Sequence, residues 1–276
     1  MSHAPEIAQH YESNGLLDRL KAALPAVADE ASALRLEDLA PLDQFHSRGL
    51  AATVELAQAL ELDRSTRVID IGSGLGGPSR YLAATYGCTV SGIDLSLPFV
   101  ETATYLAQRT GLSDKVSYQR ADALHLPFEA ASFDLAWTQH VAMNIADRDA
   151  LYREAYRVLR PGGRFAIFDV IAGDQAPLHF PVPWARVPEA SFLVNADRMH
   201  SVITAQGFRE VSWTDSTQQG IEWFAARQRA QAQQATPRSL GLHLAMGPEF
   251  ADMTVNLARN LREGRAALVQ AIYEKR

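Results

Sequence analysis

Four carboxylates and one imidazole, Asp70, Asp94, Asp122, Asp169 and His140, each stand at or near the end of a short apolar run in this 276-residue chain. A carboxylate accepts hydrogen bonds from an ammonium, a ribose diol or an exocyclic amine, and a neutral imidazole takes up a proton. Between the first two acids lies a glycine turn, Gly72, Gly74, Gly76 and Gly77, leading through Pro78 and Ser79 into a helical stretch. Strand, tight turn and helix form the first unit of a nucleotide-binding sheet, in which backbone approaches the ligand closely and the helix N-terminus faces it.

Two ligands fit the glycines. Gly72, Gly74 and Gly77 satisfy the dinucleotide pattern G-x-G-x-x-G, and Gly72, Gly74 and Gly76 satisfy the G-x-G-x-G pattern of S-adenosyl-L-methionine (SAM) sites. Asp70 favours SAM, because a carboxylate there repels a pyrophosphate and suits an ammonium and a sulfonium. Its alternative role is to cap the turn. Asp94, 22 residues beyond Gly72, stands where an acid receives a ribose diol in either class; its alternative is a helix N-cap. Asp122, after the third strand, is placed to accept from an adenine amino group while apolar neighbours such as Leu95 sandwich the ring.

The elements that must position these residues alternate. Strands are expected at Val68 to Ile71, Thr89 to Ile93, Val116 to Gln119, Phe133 to Trp137 and Arg164 to Val170. Helices fall between them, at Leu97 to Thr110 and Asp147 to Leu159 among others, the latter stopped by Arg160-Pro161-Gly162-Gly163. Such alternation gives a parallel sheet with right-handed crossovers and ligands at the carboxyl ends of its strands. Before it, helices are expected over His3 to Leu24 and Leu42 to Leu62, with Tyr11, Phe45, His46 and Arg48 as candidates to cover the site. After it, residues 171–195 carry four prolines and no helical or strand period, which makes Phe180, Pro181, Pro183 and Trp184 a candidate pocket wall. Helices over Ala196 to Gln206, Gln218 to Gln234 and Pro248 to Leu261, and strands over Arg209 to Thr214 and Arg265 to Lys275, complete the reading; a helix competes for the last segment. Trp184, Phe192, Trp213, Trp223 and Phe224 are candidate aromatic pocket residues, and Arg186, Arg198 and His200 candidate partners of an acidic substrate.

Composition narrows the classes. With 47% hydrophobic residues the chain can bury one sizeable core, and a net charge of −6 without a dense Lys/Arg block disfavours a nucleic-acid or anionic-membrane binder. A single cysteine, Cys88, rules out internal disulfides and cysteine metal clusters, so no metal is expected, and a reducing, cytoplasmic setting fits. No stretch approaches the roughly 18 apolar residues of a membrane span.

From about Leu42 to Phe208 the chain resembles the class I SAM-dependent small-molecule methyltransferases, a group that includes quinone, tocopherol, sarcosine/dimethylglycine and sugar methyltransferases. The likeness lies in VIDIGSGLGGPSRYLA, GIDLS, ADALHLPF, SFDLAWTQHV and RVLRPGGRFAIFDV, in that order. The resemblance implies an α/β, Rossmann-like, doubly wound and mostly parallel seven-stranded sheet with a reversed hairpin at its last strands. It implies a helical N-terminal lid (1–64) on a SAM-binding domain (65–276) whose acceptor cap comes from about 171–200 and 218–262. SAM contacts, leaving S-adenosyl-L-homocysteine as product, are implied at Asp70, Gly72, Ser73, Gly74, Gly76, Asp94, Leu95, Asp122 and Ala123, with Gly77 in the same turn and Gln139 near the methionyl part. Where phosphoethanolamine and sugar enzymes of this type carry a histidine beyond the fourth strand, this chain has Asn144. His140 is therefore the candidate base, with Asp169 orienting or assisting it and Asn144 holding the acceptor; packing alone is the other reading of His140.

The activity implied is methyl transfer to N, O or C of a small metabolite by a monomer or homodimer that engages no nucleic acid or membrane. Two alternatives are an NAD(P)-dependent oxidoreductase, opposed by Asp70, Asp122 and the lack of a Tyr-x-x-x-Lys pair, and a catalytically silent SAM-binding protein.

Overall fold

A computed structural model describes residues 15–26, 32–175, 177–233 and 240–276. The beginning of the helix expected from His3, and Tyr11 with it, lie outside the described residues. Helices α1 (Leu16–Ala23), α2 (Leu36–Asp43) and α3 (Leu50–Gln58) precede strand β1 (Arg67–Ile71). The single helix expected over 42–62 is thus two pieces. Arg48 and Gly49 both take positive φ, and Gly49 has ψ −144°, a conformation open essentially to glycine, so the helix breaks there and the chain turns at 44–49.

The alternation that follows is the one the sequence dictates: α4 (Gly77–Tyr86), β2 (Thr89–Asp94), α5 (Leu97–Arg109), β3 (Val116–Arg120), β4 (Phe133–Gln139), α6 (Arg148–Val158) and β5 (Leu159–Ala172). Strand β5 starts five residues earlier than expected, because Gly162 at φ 77° lets the Pro-Gly-Gly stop run on into the strand. Then come α7 (Ala196–Ala205), β6 (Phe208–Asp215), α8 (Thr217–Gln233), α9 (His243–Met246), α10 (Phe250–Arg262) and β7 (Ala266–Lys275). The last segment is a strand, not a helix. Its residues from Leu268 to Tyr273 are buried, so it shows the continuous apolar character of a strand covered on both faces.

The sheet runs β3-β2-β1-β4-β5-β7-β6, with β7 antiparallel to both neighbours and β1 to β5 parallel. Alternate residues of β1 feed two cores. Val68 joins Trp137, Phe168 and residues of α3, α4 and α10; Ile69 and Ile71 join Phe165, Ile167 and residues of α6 and α7. A third cluster lies off the sheet: Leu16, Leu39 and Leu42 from the first helices pack with Leu75 of the glycine turn, Phe99 of α5, and Leu240, Met246 and Met253 from the late segment.

One buried ion pair ties α2 to α4. Arg80 Nη2 meets Asp43 Oδ2 at 2.7 Å, with side chains only 0% and 2% exposed. Burial pushes the Asp43 carboxyl up, against the pull of the Arg80 guanidinium. Removing one member of such a pair strands the other charge in apolar surroundings. Asp43→Ala is expected to lower the unfolding free energy by about 3–5 kcal/mol, read by urea denaturation, and Asp43→Asn, which keeps an acceptor for Arg80, by less.

Candidate functional site

The glycines at the mouth of β1 divide into two roles. A Cβ on Gly72 would meet Val141 Cγ2 at 2.5 Å, and one on Gly74 would find only Phe45 Cδ2 at 3.9 Å; both line a cavity. Gly76 and Gly77 do not line it. A Cβ on Gly76 would strike the Tyr118 hydroxyl at 2.2 Å, and one on Gly77 the Asp43 carbonyl at 2.4 Å. These two are small so that β3 and α2 can close on the turn. Ser73 is buried with its Oγ unpartnered.

Only one of the three acids nearest the turn lines the cavity. Asp94 does, at the end of β2, where Oδ2 accepts from the Gly74 amide at 3.0 Å and Oδ1 from the Ser96 amide at 2.9 Å. Burial raises its pKa. Asp70 is 2% exposed, and its Oδ2 accepts from Ser79 Oγ at 2.5 Å, so its carboxylate steadies the first turn of α4. Burial pushes it up to about 7, the neighbouring charge of Asp94 adding to the effect and the Ser79 hydrogen bond opposing it. Asp122 is turned to its own loop, Oδ1 accepting from the Leu124 amide at 2.9 Å, while its neighbours Ala121 and Ala123 face the cavity with Leu95.

Across the turn, the tip of β4 supplies Gln139, His140 and Asn144 to the same cavity. Gln139 Oε1 accepts from Trp137 Nε1 at 3.0 Å and Thr53 Oγ1 at 3.1 Å; its Nε2 is buried without a partner. His140 sits at φ 55°, its amide donating to the Phe168 carbonyl at 2.8 Å and its ring centroid 5.0 Å from Phe168 and 6.0 Å from His46. Its Nε2 is buried and unpartnered. Burial, reinforced by His46, holds it well below the ordinary histidine range, so the ring is neutral at physiological pH.

Asp169 does not reach His140. It is 1% exposed, its Oδ2 accepting from the Ala142 amide and its Oδ1 from the Val170 amide, both at 3.0 Å, and burial pushes it up to about 6. It fixes the turn Ala142–Asn144 that brings Asn144 to the cavity.

Apart from Ser96, the rest of the wall is apolar: Phe45, Ile93, Phe99, Val141, Met143, Ile145, Pro183, Leu242, Met246 and Phe250. Phe45 and Pro183 were legible as candidates. Leu242, Met246 and Phe250 lie in the segment 218–262 that the resemblance assigned to the acceptor cap, but their spacing alone did not single them out. Trp184 belongs to the core, its Nε1 donating to Ser191 Oγ at 2.9 Å, and Phe192, Trp213, Trp223 and Phe224 do not line the cavity. Arg186, Arg198 and His200 pair instead with Glu249, Asp149 and Glu210. Among the described residues no Lys or Arg lines the cavity, and no cluster of three metal-ligating side chains occurs.

Residues 69–167 match the family described as "Methyltransferase domain". The methyltransferase GfsG of Streptomyces halstedii is 32% identical over 185 residues, 66% of this chain and 66% of its own length. Among solved structures, geranyl diphosphate C-methyltransferase from Streptomyces coelicolor A3(2) superposes with a TM-score of 0.71 at 17% identity, covering 100% of this chain and 99% of that one. The [4+2]-cyclase SpnF superposes at 0.68 and 22% identity, covering 99% and 96%. The first curated relatives are matched over 32–66% of their own length. Sheet order, glycine turn, cavity and domain match together make the chain a member of the class I SAM-dependent methyltransferases.

The buried acid Asp70 makes stability depend on pH. Its folded pKa lies above its unfolded one, so between about pH 4 and 7 the folded state keeps a proton that the unfolded state releases, and stability falls as pH rises through that window. Asp70→Asn, which still accepts from Ser79, is expected to remove this component, so that the variant gains on the parent from pH 4 to 7 in denaturant midpoints.

Proposed function

We propose that the protein transfers the methyl group of SAM to a nitrogen, oxygen or carbon of a small metabolite with an apolar body. The observation that carries this reading is a single cavity with Asp94 and a bare glycine turn on one side, His140 and Asn144 on the other, and carbon-lined walls between them. The fit to SAM rests on the chain's own atoms: an open cradle at Gly74, free lone pairs on Asp94, and the unpartnered Gln139 Nε2.

When bound, the cofactor supplies a methyl group already activated on a positive sulfur, which leaves as a neutral thioether. The protein's part is alignment, worth about 7–11 kcal/mol in well-oriented reactions. Asp94 would accept from the ribose, the side chains of Leu95, Ala121 and Ala123 would bracket the base, Asn144 would hold the acceptor, and neutral His140 would take the acceptor's proton on Nε2. A carboxylate or diphosphate acceptor would find no cation among the described residues of the cavity wall. The geranyl diphosphate neighbour, by contrast, was solved in complex with Mg²⁺ and a thiolodiphosphate.

The fold alone does not select this chemistry, since SpnF shares it and is named a cyclase. A nicotinamide oxidoreductase is disfavoured by the antiparallel β7 set between β5 and β6, where a dinucleotide sheet runs parallel in the order 3-2-1-4-5-6. The described residues before 65, of which Phe45 lines the cavity, serve as a lid on the domain that follows. A cytoplasmic monomer or homodimer independent of nucleic acid and membranes fits the composition; no helix among the described residues is long and apolar enough to cross a membrane.

A panel of neutral phenols, alcohols and amines beside carboxylates and phosphates, assayed with radiolabelled SAM, is expected to give product with the uncharged members alone. No transfer to any acceptor would sink the reading. His140→Ala is expected to lower the rate by about 10²–10⁴-fold while S-adenosylhomocysteine affinity stays near the parent's. An unchanged rate and pH profile would remove His140 from the chemistry.

A further inference from the structure

The sheet order decides how the parts of a SAM molecule are met. With strands in the order β3-β2-β1-β4, a base beside Ala121 and Ala123 and a ribose on Asp94 leave the amino-acid end directed across the glycine turn to the tip of β4. That end carries a carboxylate, which needs N–H or O–H donors, and among the described residues no Lys or Arg lines the cavity. Of the side-chain donors on the lining residues, which include Ser96 and Asn144, the Gln139 amide nitrogen is the one buried N–H2 group without a partner among the described residues.

Its direction is fixed from behind. The Trp137 indole N–H, which can only donate, points at Gln139 Oε1 from 3.0 Å, so flipping the amide would set two donors face to face. The second hold comes from a distant part of the chain. Thr53 of α3, fully buried, has one hydroxyl proton shared between two acceptors, Gln139 Oε1 at 3.1 Å and Gln44 Oε1 at 2.9 Å, with His46 Nε2 at 3.2 Å beside them. Of the three neighbours of this hydroxyl, Gln139 alone lines the cavity.

Resting on the SAM reading above, we propose that Thr53 is a positioning residue: through Gln139 Oε1 it holds the amide with its N–H2 group toward the α-carboxylate of the cofactor. The seating of α3 against the sheet and the grip on the amino-acid end of SAM are then coupled, and the adenosine end is indifferent to Thr53.

Calorimetry with two ligands separates these ends. S-adenosylhomocysteine has the amino-acid group and 5′-methylthioadenosine lacks it. Thr53→Val, which keeps the shape and removes the hydroxyl, is expected to weaken S-adenosylhomocysteine about tenfold and leave methylthioadenosine unchanged, and Thr53→Ser to bind both like the parent. Trp137→Phe removes the other hold and should give the same split, which carries the test if Thr53→Val does not fold. Parent-like S-adenosylhomocysteine binding by the valine variant, equal weakening of both ligands, or failure of serine to restore binding overturns the proposal. If the parent binds neither ligand, the SAM reading itself falls; if it binds both and the hydroxyl is immaterial, only the role of Thr53 does.

Discussion

Close approach of three other elements to the backbone of one turn is the constraint on which the structure depends. Within six residues, Gly72, Gly76 and Gly77 each stand where a single added carbon would come within 2.5 Å of another element: the loop after β4, Tyr118 of β3, and the carbonyl end of α2. Three parts of the chain far apart in sequence converge because nothing projects from the turn. The cavity is what remains on the side of Gly74, where no neighbour comes closer than Phe45. Packing and ligand access are thus set by the same lack of side chains.

Polar groups buried around that turn divide into those that hold it and those that face the cavity. Asp70 and Asp169 look alike in sequence, acids at the ends of central strands, yet both are spent on backbone and hydroxyl donors and lie away from the cavity. Their raised pKa values follow from burial without a cation in direct contact. Asp94 is also held, by the Gly74 and Ser96 amides, but sits at the rim. Gln139 and His140 are the inverse case: each has a buried nitrogen with no partner, and each lines the cavity. Unsatisfied polar atoms at the edge of an apolar hollow mark where a ligand's own polar atoms complete the structure.

The parallel half of the fold was legible because β-branched runs, a glycine turn and acids recur at regular spacing, and each local signal agrees with the sheet. The order of the glycines named a strand–turn–helix unit, and the acid 22 residues on named the next strand tip. What could not be read was division of labour among similar residues. Asp70 and Asp94 differ in which neighbour reaches them first, Ser79 or the Gly74 amide, and that depends on how α4 leaves the turn. The break at Arg48 and Gly49 was hidden inside a run of good helix formers, where one glycine counts little against apolar periodicity. Leu242, Met246 and Phe250 reach the cavity through packing with helices at the other end of the chain, a contact no local pattern encodes.

That shared packing has a consequence for movement. Leu16, Leu39 and Leu42 meet Leu240, Met246 and Met253 in one apolar seam, so the helices before the sheet and the segment before β7 share a single packed surface. Parting it anywhere wets surface belonging to both, at roughly 25 cal/mol for each Å² uncovered. Displacing either segment therefore carries the full cost of that seam, whichever part of the chain begins the movement.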